Sequence, residues 1–150
     1  MAKLAFASFL LWALTVAAGA FFYINGVTRT GLDGRKVILL SESERDQVQA
    51  DMRKLLQTVA EITAALGRPD APAVARLASN VGAQAASLEN PALLAKLPLD
   101  FKQAGMNMHA GFDQLAAAAR GGASPTRLTG MLGEQLAGCA ACHEVYRFGN

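Results

Sequence analysis

The feature that most constrains this chain lies near its C-terminal end, where two cysteines and a histidine fall within five positions, Cys139-Ala140-Ala141-Cys142-His143. There is no other cysteine, and the only other histidine is His109. Residues at i, i+3 and i+4 share one face of a helix, so both thiols and the imidazole can address one flat ligand. CxxCH is also the spacing of covalent c-type haem attachment. The motif therefore predicts one haem c, bound through thioethers at Cys139 and Cys142, with His143 as the proximal iron ligand.

Three other uses of the motif compete with haem. A structural zinc site normally needs four protein ligands, and beyond the motif the chain offers only His109 and carboxylates. A thioredoxin-like CxxC is expected beside a βαβ pattern, with its first cysteine near a helix N-terminus, whereas Cys139 falls towards the end of the last predicted helix. A structural disulfide leaves the adjacent His143 unexplained. We expect haem rather than any of these.

The N-terminal segment, residues 1–27, is predicted to be a membrane anchor or a signal segment. Its uncharged run from Leu4 to Val27 is 24 residues long, which is enough to cross a hydrocarbon core as a helix. The small residues Ala18-Gly19-Ala20 match a signal-peptidase site. The apolar run continues beyond that site through Ile24, however, which favours an uncleaved anchor. Cleavage after Ala20, giving a soluble periplasmic protein, is the alternative.

Charge and location are linked through the haem motif. Arg29, Arg35 and Lys36 outnumber Lys3, so the positive-inside rule alone would keep the following residues in the cytoplasm. In bacteria, CxxCH ligation takes place outside the cytoplasmic membrane, and this overrides the charge rule. We therefore expect the domain on the periplasmic side of the inner membrane. A formal net charge of +2 over 150 residues indicates no nucleic-acid partner.

The rest of the chain divides into a linker, residues 28–40, and one domain, residues 41–150. Turn residues dominate the linker, and its apolar end, Val37 to Leu40, is expected to be extended. Helix signals follow: a capping box at Ser41 to Glu44, a second start at Asp70, a short turn at 90–97, a third helix from Phe101 to the Gly121-Gly122 pair, and a fourth from Ser124-Pro125 to Tyr146.

Four helices of roughly 15 to 25 residues joined by short loops predict an all-α fold, an antiparallel four-helix bundle preceded by the N-terminal apolar helix. No strong strand pattern is present. In the fourth helix the core-facing positions include Leu128, Leu132 and Leu136, and the same stripe continues through Cys139 and His143. The motif is thus expected on the core face of the bundle.

With CxxCH near the C-terminus of a predicted four-helix bundle, residues 41–150 resemble the class II cytochromes c, the group of cytochrome c prime and its low-spin relatives. Cys139, Cys142, His143, Tyr146 and Arg147 match that family's CxxCHxxYR ending. The resemblance is strongest at this terminus and does not include the anchor or the linker. It implies a monohaem bundle, and because related bundles often dimerise, a homodimer is one oligomeric state to test.

The family divides by the sixth iron ligand, and Met52 is the candidate here. Low-spin members use a methionine of the first helix, whereas high-spin members leave that side to an apolar residue. An antiparallel topology brings the start of the first helix level with the end of the fourth, so we expect Met52 opposite His143. There are two alternatives. Met52 is an ordinary core-packing methionine, or Leu55 or Leu56 faces the iron.

Two further residues are considered as contacts of the haem. His109 is either a second axial ligand, a propionate partner or a half-exposed surface histidine, and we expect the last. Arg147 is a candidate contact for a haem propionate, the alternative being a solvated cation favoured by the helix dipole.

These expectations define a function. We expect a one-electron carrier, not an enzyme, that exchanges electrons with membrane or periplasmic redox proteins, because a closed His/Met shell changes little between oxidation states. The alternative is a five-coordinate haem protein that binds or senses nitric oxide or carbon monoxide. A haem subunit of a larger membrane enzyme is a third possibility.

Overall fold

The structure is a computed structural model that describes residues 2–86 and 90–149, and this part of the chain is mostly helical. In chain order the helices are α1 (Ala2–Asn25), α2 (Glu42–Gly67), α3 (Ala71–Ser79), α4 (Ala83–Ala86), α5 (Pro91–Lys96), α6 (Leu99–Arg120) and α7 (Pro125–Val145). The strands are β1 (Thr28–Thr30), β2 (Lys36–Leu39) and β3 (Tyr146–Gly149). The predominance of helix and the apolar N-terminal helix agree with the sequence-based prediction.

Helix α1 is continuous, and its stretch Lys3–Asn25 is long and apolar enough to cross a membrane. Signal sequences meet the same criterion. Large apolar side chains along it, such as Leu11, Trp12 and Phe21, are exposed on the protein. Because exposed apolar surface of this extent is unfavourable in water, the helix is a candidate membrane span or signal sequence.

The predicted helix starts are confirmed by their capping hydrogen bonds. Ser41 and Glu44 form both halves of a capping box at the start of α2. Asp70 caps α3 through the amide of Ala73, and Ser124 caps α7 through the amide of Arg127. These side chains satisfy amides that have no partner inside the first helical turn.

The predicted second helix corresponds to α3, which ends at Ser79 and is shorter than the roughly 15 to 25 residues expected. A turn follows at Val81 and Gly82, where the amide of Ala83 donates to the carboxylate of Asp113 on α6. The single-turn α4 begins there. The helix is interrupted at this turn, where the Asp113 side chain of α6 binds the backbone.

A small sheet was not anticipated from the sequence. β1 and β2 form an antiparallel hairpin, and β2 also pairs in parallel with β3, so that Lys36 lies opposite Tyr146 and Leu39 opposite Gly149. Residues 28–40, assigned to a linker from the sequence, therefore form two strands and bury Val37, Ile38 and Leu40. The expectation that 37–40 is extended is confirmed.

The four longer helices of residues 41–149 pack around one another in pairs. α2 contacts α3 and α7, and α6 contacts α3 and α7. α2 begins just after β2, while α7 ends where β3 begins, and β2 and β3 are neighbours. The start of α2 and the end of α7 thus lie at the same sheet.

Two apolar clusters fill the interior. The helix cluster, away from the sheet, contains buried side chains from α2, α3, α6 and α7, among them Ile62, Val74, Phe112, Leu115 and Leu128. The sheet cluster is smaller and is built on Ile38, Leu40, Leu93 and Leu97, with half-buried Val48, Leu94, Phe101, Tyr146 and Phe148 packed against it. α2 and α6 each contribute side chains to both clusters.

Candidate functional site

The CxxCH motif occupies the last two turns of α7. Cys139 and Cys142 are half-buried and His143 is exposed. The helix ends two residues after the motif, where Tyr146 is extended, at φ −118° and ψ 150°, and its amide donates to the carbonyl of Cys142. The motif is therefore on a helix, with its three side chains on neighbouring positions of one face, and a paired strand begins at Tyr146.

Four half-buried residues lie, along their helices, between residues of the helix cluster and residues of the sheet cluster. We call this set the middle layer: Met52 on α2, Gly105 on α6, and Cys139 and Cys142 on α7. None of the four belongs to either apolar cluster. Along α2, Val48 packs on the sheet cluster and Leu55 on the helix cluster, so Met52 falls between them. The sequence-predicted iron ligand and both predicted attachment thiols thus occur at corresponding positions between the clusters.

Gly105 occupies the same position on α6, between Phe101 in the sheet cluster and Met108 against the helix cluster. A Cβ added at Gly105 would have no atom within 4 Å beyond its own surroundings in the helix. The α6 side of the middle layer therefore has room beside its backbone. A flat ligand attached to α7 is compatible with that space.

A polar group lies next to the motif on its sheet side. Lys36 Nζ is 3.1 Å from Asp100 Oδ2, and the Tyr146 hydroxyl also donates to the Asp100 carboxylate. Burial opposes ionisation of Asp100, but Tyr146 and Lys36 outweigh it and hold its pKa below the usual value. Burial, with the hydrogen bond to Asp100, raises the pKa of Tyr146. Asp100 is thus a fixed negative charge close to the end of the motif.

The properties of the two thiols bear on the competing readings of the motif. Burial raises the pKa of Cys139, and burial together with Cys139 and Asp100 raises the pKa of Cys142. Redox-active CxxC thiols have a lowered pKa, so this environment does not favour a thioredoxin-like role. The cysteines are not joined to each other. Among residues 2–86 and 90–149, no three His, Cys, Asp or Glu side chains are grouped as metal ligands.

Arg147, the predicted propionate contact, lies in β3 with its Nε 3.3 Å from Asp33 Oδ2. That Nε is shielded from solvent and makes no hydrogen bond among the described residues. Arg35 also pairs with Asp33, and its Nη1 donates to the carbonyl of His143 at 3.4 Å. Arg35 and Asp33 of the hairpin and Arg147 of β3 therefore lie beside the end of the motif.

The remaining candidates take different positions. His109 is half-buried, and its Nδ1 donates to the carbonyl of Val81 at 2.8 Å, which ties α6 to the turn after α3. Leu55 packs against the helix cluster, whereas Leu56 is 68% exposed. Leu56 therefore faces solvent and not the middle layer.

Sequence reasoning missed Asp100, Lys36, Asp33 and Arg35 as neighbours of the motif. Lys36 and Asp100 are 64 residues apart, and Arg35 and His143 are 108 apart. Contacts between residues so far apart produce no local spacing pattern in the sequence. The one available signal was the apolar run at 37–40, which forms the strand that brings them together.

The chain matches no protein-family model, no curated protein and no solved structure. The resemblance to class II cytochromes c therefore rests on the motif residues and on the predicted bundle that carries them.

Proposed function

We propose that this chain is a monohaem c-type cytochrome that carries one electron at the periplasmic face of the membrane. The observation that carries the proposal is the middle layer, where the only two cysteines of the chain and Met52 occur between the same two clusters. Such a layer, half-buried and apolar at its borders, suits a large flat group held from one helix. Haem, when bound, supplies the one-electron chemistry, and the protein tunes it through ligands, charge and burial.

The residues present fit that group. Cys139 and Cys142 would hold it covalently, His143 would bind iron from α7, and Met52 would bind from α2. Arg35, which donates to the carbonyl of His143, and Arg147, four residues beyond His143, both lie at the motif end, so we propose them, rather than Arg147 alone, as candidates for propionate contacts. Because Asp33 already neutralises part of their charge, a propionate there would share these arginines with Asp33.

The proposed architecture is an antiparallel bundle of α2, α3, α6 and α7. Their cyclic set of contacts and the shared sheet at the start of α2 and the end of α7 support it. The short α3 departs from four helices of similar length. Cofactors are commonly held in the core of such bundles.

The proposed location follows from the N-terminal helix. We propose that α1 is retained as an anchor, because cleavage after Ala20 would leave Phe21 and Phe22, both more than half exposed, at a new N-terminus in water. N-terminal mass analysis of the protein from native membranes tests this. A mature chain that begins at Phe21 contradicts the anchor.

The covalent attachment is tested by acid-acetone extraction of the protein matured in a host with CxxCH ligation machinery. The haem is expected to stay on the polypeptide in the native chain and to be absent in Cys139→Ala/Cys142→Ala. A matched control is Gly138→Ala, which lies beside the motif and would meet no atom within 4 Å outside its own helix. Haem that moves into the organic phase from the native chain contradicts the proposal.

Spectra of the oxidised protein distinguish an electron carrier from a gas-binding protein. A His/Met shell gives low-spin iron with a thioether-to-iron band, whereas an open distal side gives high-spin iron. The exposed Leu56 and the cluster-bound Leu55 leave Met52 as the α2 side chain of the middle layer. We therefore expect the low-spin spectrum.

A further inference from the structure

The end of α1 is fixed on the domain and is not joined to it by a loose tether. The amide of Val27 donates to the carbonyl of Lys96 at 2.8 Å, and the amide of Leu39 donates to the carbonyl of Val27 at 2.8 Å. Gly26, with φ +62°, lies so close to the chain between α5 and α6 that a Cβ would fall 2.5–2.7 Å from backbone atoms there. The exit of α1 is thus part of the folded core of the domain.

A second contact holds the last turn of α1 itself. Lys102 on α6 donates from Nζ to the carbonyl of Tyr23 at 3.3 Å, and the same Nζ lies 4.2 Å from the centre of the Tyr23 ring. A Tyr ring with a Lys ammonium over it is typical of the membrane–water interface, where one end of each side chain is apolar and the other is hydrated. This places the first turn of α6 at that interface.

The CxxCH motif lies at the same end of the domain. Pro98, whose nitrogen lies beside Gly26, precedes Asp100 by two residues. Asp100 binds the hydroxyl of Tyr146, whose amide in turn binds the carbonyl of Cys142. Two residues of chain and two hydrogen bonds therefore connect the exit of α1 to the motif.

We infer that α1 and the CxxCH end of α7 form one rigid unit that holds the motif at the level of the lipid headgroups. The inference rests on the proposed function, since it requires a retained anchor and an attached haem. It also identifies the kind of partner, a redox protein embedded in the same membrane. Such a protein reaches a motif at this height by lateral diffusion, whereas the lipid surface hinders the approach of a soluble carrier.

The test uses the full holoprotein in vesicles of phosphatidylcholine that contain a small fraction of headgroup-labelled fluorescent lipid. Haem absorbs the emission of such a label and quenches it at short range. A zwitterionic lipid is chosen so that charge attraction does not hold the domain down. The matched variant has 20 Gly and Ser residues inserted between Asn25 and Gly26. It keeps the contacts of Gly26 and Val27 with the backbone of 96–98 and with Leu39, and it releases the span from the domain, including the bonds of Phe22 to the Gly26 amide and of Tyr23 to Lys102.

We expect strong quenching with the native chain and a severalfold loss with the insertion. Equal quenching by the two chains overturns the rigid unit. Vesicle flotation and the haem absorbance of the same samples are recorded separately. A chain that does not float, or that carries no covalent haem, overturns the proposed function, and the inference with it, so the two kinds of failure are distinguished.

Discussion

Lys36 Nζ and Asp100 Oδ2 lie 3.1 Å apart, and this ion pair joins β2 to the first turn of α6. Both side chains are partly exposed, at 40% and 59%, so the pair contributes less than about 1 kcal/mol to folding. Its position matters more than its strength. Tyr146 contacts both partners, since its hydroxyl binds Asp100 and its ring centre lies 5.5 Å from Lys36 Nζ. The pair is thereby placed at the end of the CxxCH motif.

The first prediction concerns the reduction potential. Asp100→Asn removes a negative charge next to Cys142 and is expected to raise the potential, because a nearby anion stabilises the oxidised state. Lys36→Met leaves the carboxylate uncompensated and is expected to lower it. Both are measured by equilibrium redox titration followed by absorbance. Glu61→Gln is the control, since Glu61 is exposed on α2, nine residues beyond Met52; a shift as large in that variant would contradict a specific role for Asp100.

The second prediction concerns acid stability. Two short contacts from Lys96 to Glu44, at 2.7 and 2.8 Å, and the amide of Ser41 lower the pKa of Glu44 to about 2 from 4.5. Because the folded pKa lies below the unfolded one, this stabilisation is present above pH 4.5 and is lost as pH falls towards 2. Glu44→Gln should therefore be less stable than the native chain at pH 6, and the difference should shrink at pH 3.

Urea unfolding at the two pH values measures this difference. Glu42→Gln is the matched control, because Glu42 lies in the same helical turn, is exposed, and makes no ion pair in the part of the chain that the structure describes. A Glu44→Gln deficit that is the same at both pH values would show that the loss is not electrostatic.

The helical part of this fold was accessible to sequence reasoning because its signals are local. Ser41, Asp70 and Ser124 each bind an amide within three residues, so their helix starts can be read from a short window. The sheet could not be read in this way. β2 and β3 are only four residues long, too short for a periodic pattern, and their pairing sets Lys36 beside Tyr146 across nearly the whole domain.

The candidate site likewise combines features that local signals predict with features that depend on long-range contacts. The shared helical face of the motif follows from spacing, and Met52 lies on the apolar stripe of its helix as predicted. The expectation that the whole motif lies on the core face is wrong for His143, which is exposed, as is Leu136 two turns earlier on the same stripe. The surroundings of Arg147 did not follow, because its partner Asp33 lies in a hairpin that had been read as a linker. The charges that surround the motif are therefore the part of the site that required the three-dimensional structure.

The third prediction compares two glycines with positive φ. Gly26 (φ +62°) is packed against the backbone of 96–98, whereas a Cβ on Gly34 (φ +78°) would meet nothing within 4 Å. Gly34→Ala should cost about 1 kcal/mol from backbone strain alone. Gly26→Ala should cost about 2–4 kcal/mol, because a steric clash is added to the strain. Thermal and urea unfolding measure both, and equal costs would contradict the tight contact at the end of α1.

The last prediction concerns the sixth ligand. Met52→Ala should convert low-spin iron towards high-spin and allow rapid binding of carbon monoxide, because it removes the only α2 side chain that we place in the middle layer. Met108→Ala is the matched control. Met108 is also half-buried on a long helix, but it packs against the helix cluster, so its loss should lower stability by about 2 kcal/mol and leave the spectrum unchanged.

His109→Ala separates the remaining alternative for the sixth ligand. The hydrogen bond from His109 to Val81 directs Nδ1 towards the turn after α3, so this variant should also keep the low-spin spectrum. If Met52→Ala leaves the spectrum unchanged while His109→Ala makes the iron high-spin, the second axial ligand is His109 and the His/Met carrier is wrong. If the native protein is already high-spin and binds carbon monoxide rapidly, Met52 is a packing residue, and the gas-binding function replaces electron transfer as the better proposal.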